Sequence, residues 1–195
     1  MRRIFVSLVV LPILLLLLAA PAAAAPPLKE SGTQESISAF TSSCTGNTCT
    51  DTILDAFTVG DGLMVICVSE FTFNTRNGRL ISEESGCSDP VPDNLDVSDD
   101  LSASLGETSV TLFSCDQRGC SEGDTVTVSA ELTSFGPVFT DSQRGTFSDG
   151  TCTFRFRSTG EQSEAAGTLT IDGQTLDANG FVGVSQFTVS SRCKE

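Results

Sequence analysis

The sequence predicts an all-β protein: a disulfide-braced antiparallel β-sandwich of roughly nine to eleven strands, with a β-barrel as the alternative architecture. Three observations carry this. Apolar and polar residues alternate with period two over several segments; eight cysteines, an even number, follow an export signal; and no segment after that signal shows an amphipathic helical stripe. The nearest approach to a helix is residues 95–105, whose Asp and Ser content suits a loop better.

Met1-Arg2-Arg3, the apolar run 4–18 and the small-residue stretch 19–26 form the n, h and c regions of a signal peptide spanning residues 1–24. The apolar run contains Pro12 and falls short of the ~20 residues a membrane span needs. Cleavage after Ala24 is preferred to cleavage after Ala25, because Pro26 would then constrain the chain at the scissile bond. Residues 25–35 read as a flexible lead-in and 36–195 as one all-β domain; the alternative is two small β domains divided near the acidic stretch 88–100.

Strand patterns follow in order. Residues 50–59 come first, then 63–73, which turns through Arg76-Asn77-Gly78 and returns along 79–81. A three-residue loop there places Phe73 opposite Ile81 and Cys67 opposite Cys87. Residues 108–114 and the regular alternation over 125–135 add two more. A second hairpin is expected from 152–158 and 163–171 around a loop at 159–162; it sets Phe154 and Phe156 inward against Gly167 and Ala165, with Arg157 opposite Glu164. Residues 174–178 and 181–191 complete the set after the two-residue turn signal Asp172-Gly173.

In an exported chain the eight cysteines read as four disulfides, and zinc is disfavoured because His is absent and an oxidising compartment removes thiolates. Register pairs Cys67–Cys87, shared inward parity pairs Cys152–Cys193, and proximity pairs Cys44–Cys49 and Cys115–Cys120.

Removal of residues 1–24 leaves 9 basic against 25 acidic side chains, a net charge of −16. The cations look few and scattered along the chain, Arg155 and Arg157 being the closest pair, which argues against nucleic acid and, after signal cleavage, against anionic membrane as partners. With no His, serine and cysteine hydrolases lack their usual base, and the two lysines, Lys29 and Lys194, lie near the termini. Asp149-Gly150-Thr151 has the wrong order for an aspartic-protease turn, and no phosphate-binding glycine loop occurs. No catalytic residue and no cofactor is therefore assigned. The best inorganic candidate is calcium, whose hard-oxygen preference suits Asp93, Asp96, Asp99 and Asp100, although their spacing matches no EF-hand loop and a solvated acidic linker is the preferred reading. Phe71, Phe73, Phe154, Phe156, Phe181 and Phe187 fall at inward parity and read as core; several Phe in one cleft would instead hold a small apolar ligand.

An exported, acidic all-β chain with the short loop Cys115-Asp-Gln-Arg-Gly-Cys120 is similar to the apoproteins of the enediyne chromoproteins, a resemblance that implies a small β-sandwich carrying an apolar ligand. It is also similar to secreted protease inhibitors in having loops braced by disulfides. The expectation is thus a secreted, non-enzymatic binding or structural domain whose partner is a protein or small apolar ligand. The alternatives are a carboxylate-based or calcium-dependent extracellular hydrolase and a carrier of a small apolar ligand. Intact-mass measurement of secreted material should show a chain beginning at Ala25; full-length protein in the membrane fraction would refute the export assignment.

Overall fold

Turn chemistry lays out the strands. In a computed structural model of the chain, residues 29–116, 119–148 and 150–193 are described, without the side chains of 113–122. Strand β1 (Lys29–Thr45) meets β2 (Thr48–Gly60) through Gly46-Asn47, with positive φ at Gly46, and β2 meets β3 (Leu63–Asn74) through Asp61-Gly62, with positive φ at both residues. β4 (Arg79–Ser88) is followed by the short β5 (Val91–Pro92) and β6 (Leu95–Val97), then by β7 (Ala103–Asp116) and the thirty-residue β8 (Gly119–Ser148). β9 (Cys152–Ile171) and β10 (Gln174–Cys193) are joined by Asp172-Gly173, whose φ values of 49° and 79° are those of a two-residue hairpin turn matched to strand twist.

All ten strands belong to one antiparallel sheet. Its pairing runs β2-β1-β10-β9-β8-β7-β4-β3, and β3 pairs again with β2, so the path returns to its start; β5 adds to β3 and β6 to β7. Such a circuit is common to a closed barrel and to a sandwich whose layers are joined at their corners. Its narrowest link is β4–β7, where only Cys87↔Phe113 and Ser88↔Leu112 pair. The core lies inside the circuit: Ile37, Leu54, Met64, Ile66, Leu105, Val128, Leu132, Leu169 and Val182 are nearly fully buried, on alternate positions of their strands. Leu95 and Leu101 join the same core from the segment between β5 and β7.

Several expectations need correction. Residues 29–35 are strand rather than flexible lead-in, because the outer end of β10 offers them a ladder from Lys29↔Ser190 to Glu35↔Val184. The expected hairpin at 159–162 does not form. β9 runs straight through those residues, and Phe156 faces Val189, Phe154 faces Ser191 and Arg157 faces Thr188. The physical reason is the strength of the competing turn: Asp172 and Gly173 both accept positive φ, whereas Gly160 keeps negative φ, so all twenty residues of β9 pair with β10. Residues 174–178 and 181–191 are correspondingly one strand, and 95–105 is a small hairpin of β6 and β7. In the β3–β4 hairpin the loop has four residues and Phe73 faces Leu80; a bulge beside Thr72 then absorbs Ile81 and restores the expected pairing Cys67↔Cys87.

Three disulfides, Cys44–Cys49, Cys67–Cys87 and Cys152–Cys193, each join residues directly opposite in adjacent strands. Cys115 and Cys120 are also opposed in the β7–β8 ladder, but their side chains lie outside the described residues. The sequence separations are 41 for Cys152–Cys193 and 5 for Cys44–Cys49. In the chain-entropy account these bridges are worth about 4 and about 2 kcal/mol. The double variant Cys152→Ala/Cys193→Ala should therefore melt about 4–8 °C below Cys44→Ala/Cys49→Ala in calorimetry. Equal melting temperatures would remove the loop-length explanation.

Candidate functional site

Burial along β9 reverses midway. From Ser163 to Leu169 the odd-numbered residues face the core, with Ser163, Ala165 and Leu169 buried, whereas from 154 to 161 the odd-numbered Arg155, Arg157, Thr159 and Glu161 are exposed and the even-numbered residues half-buried. β10 repeats the change: Ala178, Gly180 and Val182 are buried, while Gln186 and Arg192 on the same side are exposed and Val189 on the other side is buried. The cause is loss of the opposing layer. The β1–β2 pairing begins only at Ser36↔Phe57 and the β7–β8 pairing ends at Ala103↔Leu132, so residues 29–35 of β1, 139–148 of β8, 152–161 of β9 and 185–193 of β10 project as a four-strand wing. β6 pairs with β7 and also touches β1, β2 and β10, spanning the end of the core where the wing begins.

The face of the wing continuous with the core side is cationic. Arg144 of β8 is directly opposite Arg157 of β9, which faces Thr188 of β10, which faces Ser31 of β1. One row outward, Thr146, Arg155, Ser190 and Lys29 are aligned, and beyond them Thr153 faces Arg192. Five of the chain's eleven cations thus share one face of four adjacent strands, all exposed. Among the described residues no carboxylate pairs with any of these guanidinium groups. Like charges directly opposite across strands are destabilising, and Arg144↔Arg157 is such a pair. An open groove of about 400 Å³ lies here, lined by Ser31, Gly32, Thr33, Arg157, Thr159, Gln186, Phe187 and Thr188.

The opposite face of the wing holds the phenylalanines. Phe147 and Phe154 stack with ring centroids 4.6 Å apart, Phe156 lies over Gly145, and the Phe187 ring lies where a Cβ on Gly32 would meet it at 3.1 Å. Phe154, Phe156 and Phe187 therefore sit on the side away from the core, Phe154 stacked on Phe147 and the other two against glycine backbone.

Among the described residues three carboxylates depart from their ordinary values. Glu35, at the base of the wing, is held above its ordinary value by burial and by Asp93 and Asp96, with the Val97 N–H working the other way. Asp55 of β2 is raised by burial, opposed by a hydrogen bond from Ser38. Asp100 is lowered by donors from Ser98 and Ser102. Of the calcium candidates, Asp93 accepts the Leu95 N–H at 3.0 Å, Asp100 accepts the Ser98 hydroxyl at 2.6 Å and the Ser102 N–H at 3.0 Å, and Asp96 is exposed opposite Ser104. Asp99 is exposed in the turn. Local turn hydrogen bonding accounts for Asp93 and Asp100, and among the described residues no three acidic, Cys or His side chains converge as metal ligands.

Sequence reasoning missed the cationic face. Arg155 and Arg157 announce a cationic stripe by their spacing of two, but Arg144, Arg192 and Lys29 join it only through the register of three ladders. Comparison with known proteins adds little: no protein-family model and no curated protein matches the chain. A solved structure from Nitrosomonas europaea bearing the provisional name AttH is similar at 10% identity and a TM-score of 0.21, over 84% of this chain. The match spans about half of that protein's length, 52%.

Asp55 yields a pH test. Because its folded-state value is raised, any stability it contributes is present below the ordinary Asp value and lost as pH rises through the raised value, so its ionised form is a cost near neutrality. Asp55→Asn should raise the urea midpoint at about pH 7, with a smaller gain at about pH 4. A midpoint lowered equally at both values would show that the carboxylate acts through its hydrogen bond with Ser38 instead.

Proposed function

We propose that the chain is an exported, non-enzymatic binding domain that acts through the cationic face of the four-strand wing. The observation that carries this reading is the direct opposition of Arg144 and Arg157 beside a polar groove, with no carboxylate among the described residues to neutralise them. Such a pair costs folding stability, and a partner that brings the missing charge turns that cost into binding energy. Disulfides joining directly opposed residues of adjacent strands suit an oxidising environment, which supports export to the outside of the cell.

A carboxylate-based hydrolase is the second reading, and Glu35 beside Asp93 and Asp96 is what favours it. The two are separated by a turnover assay on ester, peptide and glycoside substrates. Background rates, unchanged in Glu35→Gln, are expected of a binding domain. Robust turnover abolished by Glu35→Gln would overturn the reading.

A further inference from the structure

We infer that the wing binds an extended acidic polysaccharide, one carrying carboxylate or sulfate groups at intervals along its chain; this rests on the binding-domain reading above. The spacing of the cations is the first reason. Arg144 and Arg157 are neighbours across one ladder, Arg155 lies two residues from Arg157, and Arg192 and Lys29 lie on the strands beyond. With strands about 4.8 Å apart and two residues covering about 6.6 Å, the five charges cover an area of more than 10 Å each way. That is too wide for one small anion and matches a linear chain with repeated charges. Arginine is suited to this role because its planar fork donates two parallel hydrogen bonds to a carboxylate or sulfate.

The second reason is what lies between the cations. Ser31, Thr33, Thr159, Gln186 and Thr188 line the groove, and Ser190 and Thr146 lie in the adjacent row. Hydroxyl and amide groups both donate and accept, as sugar hydroxyls require.

The third reason separates this partner from other polyanions. The phenylalanine rings of the wing point to the opposite face, that of Phe187 toward Gly32, so among the described residues the cationic face offers no ring on which bases could stack, as single-stranded nucleic acid binding normally requires. None of the exposed large apolar side chains, Phe40, Leu80, Ile81, Phe135, Val138 and Phe139, belongs to that face, so nothing there would insert among lipid headgroups. Glu35 and Glu161 mark its inner end, and a chain net charge of −14 repels a long polyanion everywhere else, which confines contact to the wing.

The test is calorimetric titration of the secreted chain at low ionic strength with oligogalacturonate and with sulfated dextran oligomers. Neutral dextran, a single-stranded oligonucleotide and anionic phospholipid vesicles serve as comparisons. Saturable binding to one or both acidic saccharides is expected, weakening as salt is added. Arg144→Ser/Arg157→Ser should weaken it at least about tenfold, against less than about twofold for the charge-matched Arg76→Ser/Arg79→Ser at the β3–β4 turn. Both pairs are exposed, and a melting curve for each verifies that the variants remain folded. Absence of saccharide binding, equal losses in the two variants, or tighter binding to the oligonucleotide or vesicles would overturn the inference. The turnover assay with Glu35→Gln is an independent readout, so the inference about the ligand and the reading as a non-enzymatic domain fail separately.

Discussion

The unbroken β9–β10 ladder is the constraint on which the rest of the structure depends. Twenty residues of each strand pair from the Asp172-Gly173 turn out to Cys152↔Cys193, where a disulfide closes the far end. The ladder is longer than the core it serves, because β7 and β2, each one strand beyond its neighbours β8 and β1, stop contributing before it ends. One half of it therefore lines a buried interior and the other half becomes a layer exposed on the cationic side and half-buried on the other, stabilised by backbone pairing, aromatic packing on one face and a covalent bridge.

This division explains how a strongly acidic chain comes to carry a cationic surface. Within the core half the inward positions must be apolar, and Ala165, Leu169, Ala178 and Val182 fill them. Past the end of the opposing layer the same side of the same strands meets solvent, and charge is tolerated there at little desolvation cost. Arg155, Arg157 and Arg192 occupy those positions, and the β8–β9 register adds Arg144. Aromatic side chains meanwhile move to the other side, where Phe187 covers Gly32 and Phe156 covers Gly145.

Parity is where reasoning from the sequence went astray, and Phe154 and Phe156 show why. Inward placement is the sound default for alternating Phe and Arg, since most strands have one buried face and bury their apolar residues on it. The alternation is real in the structure, with Phe half-buried and Arg exposed, but the half-buried side here is the reverse of the core side. Nothing local to residues 152–158 signals that change, because it is caused by where β2 and β7 end.

What the sequence by itself determined is local in origin. Period-two alternation defines strands, Asp172-Gly173 defines a turn because both residues accept positive φ, and an even set of cysteines points to a disulfide framework. The Cys67–Cys87 opposition was legible for the same reason, since one short hairpin lies between them, and even the extra residue in its loop was cancelled by a bulge. Tertiary structure alone decided that β3 returns to β2, that β8 and β9 outrun the core, and that Arg144, Arg155, Arg157, Arg192 and Lys29 meet on one face. Those outcomes depend on pairings between residues up to 161 positions apart, Lys29 with Ser190 being the widest, and on which strands lack a layer opposite them. Neither is encoded in any window of sequence short enough to show a period.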